Sequence, residues 1–199
     1  MTYRPIRLPA SDFGNKAIPT LNVASFHGIR VHGGHRSAIS FRKISSHRFT
    51  HPDAPEGLMY LAEDLETCLW ECFGDAILDP GARIPHLKWS QSQTSEIRLN
   101  QPLPVCDLTD LDARRQLGLD LSALNHPDLA VPQAWGLAIQ THPASVGGFY
   151  FPSRFTGKRC LVLFDRPPVG AALSSSPGKS LPDIVDAAEF INRNQIKLI

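Results

Sequence analysis

The sequence predicts a single domain of mixed α/β (α+β) class, with a small central β-sheet flanked by helices, and three observations carry that expectation. The 199 residues are 42% hydrophobic and 20% charged, enough for one sizeable core and cramped for two full domains. Short β-prone runs and amphipathic helical segments interleave without the strict alternation of a doubly wound sheet. No internal repeat suggests a solenoid or a propeller.

In chain order, residues 1–25, with "LPASDFGNKAIPTLN", carry turn chemistry and little periodicity, which predicts an N-terminal arm or loosely packed extension. "GIRVHGG" and "SAISFRKI" then suit two strands joined by a loop, and "HRFTHPDAPEG" a loop broken by prolines. "LMYLA" is a strand. "DLETCLWECFG" predicts a helix, since Leu65, Cys68, Leu69, Cys72 and Phe73 recur at helical spacing, acidic residues open it and Gly74 closes it. "DAILDPGARIPHLKWSQSQT" is loop-like, "SEIRL" and "LPVCDL" are strands, and "TDLDARRQLG" is a short helix with an acidic or threonine cap. A helix from about Pro132 to Gln140 follows, because proline suits a first turn and Pro143 ends what comes after. "GGFYFPSR" and "CLVLFD" are strands, "RPPVGAALSSSPGKSLP" a flexible connection, and "DIVDAAEFINRNQIKLI" a closing amphipathic helix.

Twenty Lys and Arg against nineteen Asp and Glu leave no electrostatic footprint for nucleic acid or an anionic membrane. An anionic ligand must therefore be met by a local cluster. The first residues lack the apolar core of a signal peptide, and no stretch approaches the roughly 18 apolar residues of a membrane span, so a cytoplasmic protein is expected. The four cysteines, Cys68, Cys72, Cys106 and Cys160, are too sparse for a disulfide framework and are expected to be reduced.

Several residues could carry chemistry. Cys68 and Cys72 share a helical face that could supply half of a metal site, but that face is the apolar stripe, which favours two small buried hydrophobes. His27, His32, His35, His47 and His51 crowd one region without any metal-binding frame, and no metal is expected. No G-x-S-x-G elbow or cysteine-protease signature is present. Glu71 falls off the centre of the stripe, beside Asp64 and Thr67, in what reads as the last helical turn, where the dipole disfavours a carboxylate. It is either an ordinary surface glutamate or a functional one. Arg48 suits a bidentate grip on phosphate, and Ser153 with Arg154 ends an aromatic strand.

Taken together, "RVH" near residue 30, "HRF" at 47–49, "LMYLAEDLETCLWECFGD" at 58–75 and "GFYFPSRFTGKRCLVLFDRP" at 148–167 resemble the RES-domain family, named for its arginine, glutamate and serine. The resemblance runs from about Gly28 to about Arg166. Residues 1–25 and the last thirty or so lie outside it; the expected division is an N-terminal extension over 1–25 and a catalytic domain over 26–199 that includes the C-terminal helix, and the resemblance implies a fold similar to the ADP-ribosyltransferase toxins. It further implies a toxin-like enzyme that consumes NAD⁺, a partner antitoxin of the Xre type, and in some members self-association as a homodimer. By position, the family's arginine falls on Arg48, its tyrosine on Tyr60, its glutamate on Glu71 and its serine on Ser153. The earlier family arginine resembles Arg30, although Ile29 stands where an aromatic is usual, and Arg42 competes for the role.

These residue types fit the implied chemistry. Cleaving the nicotinamide–ribose bond builds oxocarbenium character that a carboxylate, Glu71, would stabilise. Tyr60 would stack on the cationic ring and keep its hydroxyl free to hydrogen bond, while Arg48, Arg30, Arg154 and Ser153 would meet the pyrophosphate without a G-x-G-x-x-G turn. No resident cofactor is implied: NAD⁺ is the substrate and phosphate a candidate co-substrate. Phosphorolysis or hydrolysis of NAD⁺ is the first expectation, and mono-ADP-ribosylation of a macromolecule or an inactive binding module are the alternatives.

Overall fold

The computed structural model describes residues 6–79 and 81–199. In chain order they form β1 (Thr20–Val23), β2 (Phe26–Gly33), β3 (Leu58–Ala62), α1 (Leu65–Leu78), β4 (Arg83–Ile84), α2 (His86–Ser90), β5 (Ser92–Leu99), β6 (Leu103–Asp107), α3 (Leu111–Leu117), α4 (Leu121–Leu124), α5 (Ala130–Gln140), β7 (Gly148–Pro152), β8 (Arg159–Phe164), α6 (Pro167–Ala171), β9 (Leu173–Ser175), β10 (Lys179–Ser180), α7 (Val185–Arg193) and β11 (Lys197–Leu198). This is the expected mixed α/β domain with a central sheet. Among the described residues the sheet runs β1, β6, β7, β8, β3, β2, β5, β10, with β9 also on β5, while β11 and β4 form a separate parallel pair. Within the large sheet β6 and β7 are parallel, and the connection that a parallel pair requires carries α3, α4 and α5.

The central strands β3, β7 and β8 are buried on both faces, and their period of two sorts side chains between two cores. Tyr60, Phe149, Phe151, Val162 and Phe164 face one side, where they pack with Phe49, Leu124, Trp135 and Ile139. Met59, Leu61, Tyr150, Leu161 and Leu163 face the other, under Val169 of α6 and residues 38–41. A third core joins α1, α2 and α7 through Leu69, Phe73, Trp89 and Phe190. Among the described residues no helix is long and apolar enough to cross a membrane.

Several elements differ from the sequence expectation. Residues 1–5 of the N-terminal segment lie outside the described residues, but the remainder is not loosely packed. Phe13 is buried against Trp135, the Trp135 indole donates to the Arg7 carbonyl at 3.0 Å, and Thr20–Val23 pair with Leu103–Cys106. "SAISFRKI" forms no strand beyond a single bridge between Arg42 and Leu58, because Ala38, Ile39 and Phe41 are used to cover the sheet. The expected loop over 75–94 contains the end of α1, β4, α2 and the start of β5, and the expected connection over 166–182 contains α6, β9 and β10; β4 is held by pairing with β11, β9 and β10 by pairing with β5, and α2 and α6 by the burial of Trp89 and Val169, none of them by local periodicity.

Helix α1 also runs one turn past Gly74, to Leu78. Its opening follows the acidic cap expected, with the Asp64 carboxylate accepting from the Thr67 N–H at 2.7 Å. Gly74 is not a terminator: a Cβ there would stand 2.4 Å from the Phe155 ring, so glycine is required for that ring to pack on the helix. Glu71 therefore sits in mid-helix, and the helix-end dipole argument does not apply to it.

Candidate active site

A cleft of about 900 Å³ opens between α1, strands β2 and β3, the segment 40–48 and the loop before α5. Helix α1 turns two faces to its surroundings. Leu69 and Phe73 pack toward α2 and α7, while Cys68, Glu71, Cys72 and Asp75, at i, i+3, i+4 and i+7, line the cleft. The expectation that both cysteines are buried thus holds for Cys68 only. Cys72 is exposed, because the cleft cuts into the sheet-facing side of the helix. All four cysteines are unpaired thiols.

Glu71 is half-buried and accepts a 2.6 Å hydrogen bond on Oε1 from the Ser153 hydroxyl. Burial pushes its carboxyl above the ordinary range, opposed by that hydrogen bond and by the positive charges of Arg48 and Arg154. Ser153 is buried rather than set on the cleft wall, so its place among the pyrophosphate contacts is not what the structure offers. Its oxygen also accepts from the N–H groups of Phe155 and Thr156 at 3.2 and 3.3 Å, a turn that holds the hydroxyl against Glu71. The next residue, Arg154, does line the cleft, where it ion-pairs with Asp75 and lies 4.4 Å over the Phe155 ring.

Tyr60 lines the cleft from β3. Its hydroxyl is not free, as the fold uses it to accept from the Phe49 N–H at 3.1 Å. Burial pushes the phenol up to about 12, so it stays un-ionised at neutral pH. Phe49 lies nearly parallel to it at 6.4 Å, and His47 and Phe151 meet it edge-on at 5.5 and 6.5 Å. Arg48 is anchored by donating to the Leu124 carbonyl at 3.0 Å, and its pKa is lowered by burial and by Arg154. Arg30 donates to the Ala38 carbonyl at 2.6 Å and is pushed down by burial to about 10, still cationic at neutral pH. Arg42 lines the same cleft from an exposed position, so both competitors for the second arginine face it.

The cleft concentrates charge that the whole sequence conceals. Arg30, Arg36, Arg42, Arg48, Lys88 and Arg154 stand on its walls against Glu71 and Asp75. A low-dielectric concavity lined in this way focuses positive potential and suits a ligand with two or more negative charges. His32, His35, His47 and His126 also line it, whereas His27 pairs with Glu96 and His51 with Asp53 on the surface. Among the described residues no three His, Cys, Asp or Glu side chains are grouped to hold a metal.

Sequence reasoning missed the residues that place Arg48. Gln133 of α5 donates from one amide nitrogen to the carbonyls of Ser45 and His47 at 2.7 and 3.0 Å, and Gln140 donates to the Glu56 carbonyl at 3.2 Å. A Cβ on Gly136 would come within 2.3 Å of the Phe49 carbonyl, so glycine lets this segment lie on α5. No sequence signal marks these three, because their partners lie some 80 residues away.

A RES domain model matches residues 27–183. No curated protein matches. Among solved structures, a chain of the crystal structure of the M. tuberculosis MbcT-MbcA toxin-antitoxin complex is similar at 21% sequence identity, with a TM-score of 0.71 over 94% of this chain and 98% of that one. That likeness concerns the fold.

Proposed function

The chain belongs to the RES domain family, and from that premise we propose that it is a toxin-like enzyme that cleaves the nicotinamide–ribose bond of NAD⁺. One observation carries the reading: Glu71, oriented by Ser153, stands in a cleft with the Tyr60 ring and an excess of cations. A dinucleotide with a cationic aromatic ring, a ribose and a pyrophosphate matches those three features in turn. The volume is adequate for it.

In the reaction the bond between ribose C1′ and the pyridinium nitrogen breaks, its electron pair neutralises the ring, and nicotinamide leaves. The ribose gains oxocarbenium character, which the ionised Glu71 stabilises, and an acceptor oxygen bonds C1′ and gives up its proton. Burial raises the energy of the carboxylate before reaction, so the cation that develops beside it is stabilised more than it would be in water. Arg48 and Arg30, each held by a backbone carbonyl, meet the pyrophosphate as preformed donors. Phosphate as acceptor gives ADP-ribose 1″-phosphate and water gives ADP-ribose. A second chain acting as antitoxin, of the Xre type in the family resemblance, would neutralise the enzyme by covering the cleft.

The test is incubation of purified protein with NAD⁺, with and without phosphate, followed by product identification, in the wild type and in Glu71→Gln. Free nicotinamide should accumulate with the wild type only, and phosphate should change the second product. Intact NAD⁺ after prolonged incubation with folded wild type refutes the reading, and labelled ADP-ribose on a macromolecule redirects it to transfer.

A further inference from the structure

His47 stands in the cleft without a role in the chemistry above. Its backbone is fixed, since its carbonyl accepts from Gln133 and from the Thr50 N–H, and its ring meets Tyr60 edge-on at 5.5 Å and 89°. Among the described residues neither ring nitrogen has a hydrogen-bond partner, and Nδ1 is sealed from solvent. A proton on Nδ1 would be a buried donor without an acceptor, a far rarer arrangement than an unused lone pair. The imidazole therefore carries its proton on Nε2, as a neutral ring. A second proton is opposed by that unpaired Nδ1 and by burial, with Arg42 and Arg30 as the cations that act on it. Tyr60, un-ionised, is the titratable group whose ring meets the imidazole, and Arg48, Glu71, Asp75, His126 and Arg154 line the same cleft.

A neutral N–H donor beside the ring platform has a definite complement. Resting on the NAD⁺ reading above, we propose that His47 is a specificity residue that donates a hydrogen bond from Nε2 to the carboxamide oxygen of the nicotinamide ring held at Tyr60. As the C1′–N bond breaks, the pyridinium becomes neutral and electron density returns toward the carboxamide. The bond from His47 then strengthens on the way to the transition state and assists departure of the leaving group. It also discriminates against dinucleotides whose ring lacks the acceptor.

The experiment compares wild type, His47→Ala and His47→Gln on NAD⁺ and on an analogue whose pyridine ring lacks the carboxamide. On NAD⁺, His47→Ala should lose about tenfold in kcat/KM, the size of one neutral hydrogen bond, and His47→Gln, whose amide can donate from a similar position, should recover most of it. On the analogue all three should be equal, and on NAD⁺ the pH profiles of wild type and His47→Gln should run parallel between pH 7 and 8, above the ordinary imidazole range, where a neutral ring adds no limb. Equal losses for His47→Ala on both substrates would mean a structural role, and full activity on NAD⁺ would mean none; either overturns the proposal while the NAD⁺ reading stands. A wild type that leaves NAD⁺ intact removes both.

Discussion

Replacing Ser153 by alanine isolates the contact that orients the carboxylate. The lost bond is short, at 2.6 Å, and its acceptor is a carboxylate, so it belongs to the class worth about 1.5–3 kcal/mol. If Glu71 must be ionised and aimed at the ribose, that energy appears in the barrier and kcat should fall by roughly 10- to 150-fold. A second signature is independent of the size. Burial raises the Glu71 pKa, and the Ser153 hydrogen bond is the first of the influences that oppose it. Its removal leaves Arg48 and Arg154 alone against burial, so the acid limb of the rate profile moves to higher pH. The assay is nicotinamide release at saturating NAD⁺ from pH 5 to 9, with a thermal melt to register loosening of the 153–156 turn. An unchanged acid limb, or one displaced to lower pH, refutes the role given to Ser153 and the need for ionised Glu71 with it.

Glu71→Gln should also raise stability while abolishing turnover. The folded-state carboxyl titrates above its unfolded value, so the stability this group contributes is present below the ordinary carboxylate range and lost as pH rises through the folded value. The variant's melting temperature should exceed wild type at pH 7.5, and the gap should close toward pH 4; a wild type more stable at pH 7.5 would mean that Arg48, Arg154 and Ser153 outweigh burial. Arg166→Ala removes bonds at 2.9, 2.6 and 2.5 Å to Glu56, the Val146 carbonyl and the Gln140 carbonyl, and leaves Glu56 half-buried and unpaired. A cost of about 3 kcal/mol, or roughly 6–12 °C in melting temperature, is expected for a chain of this length, and a shift under 2 °C would contradict it. Gly136→Ala drives a Cβ into the Phe49 carbonyl, which must move and take the Phe49 N–H away from Tyr60. NAD⁺ turnover should fall more than tenfold, and activity within twofold of wild type would show that the segment yields without cost.

What could be read from the chain follows the range of the forces involved. Continuous apolar runs in "LMYLA" and "CLVLFD" and the 3.6-residue stripe of α1 report burial through near neighbours, and they appear as β3, β8 and α1. The Asp64 and Asp110 caps are equally local, each satisfied by an N–H three residues on. The family motifs placed Glu71, Tyr60, Arg48, Arg30 and Arg154 on what proves to be one cleft. Other features depended on partners distant in sequence. The extension of α1 past Gly74 is tied to the Phe155 ring, the pairing of β9 and β10 needs β5 beside them, and Cys72 is exposed only because a cleft opens along its side of the helix. The chain alone was enough for the mixed α/β class and for the main strands and helices β3, β8, α1 and α5, since these rest on local periodicity and on residue identity. It took the assembled fold to bring Ser153 onto Glu71, to set Gln133 and Gly136 under the Arg48 segment, and to gather six cations in one cleft of a nearly neutral chain. Hydrogen bonds and electrostatic fields act across space, and residues 80 positions apart become neighbours only when the sheet is built.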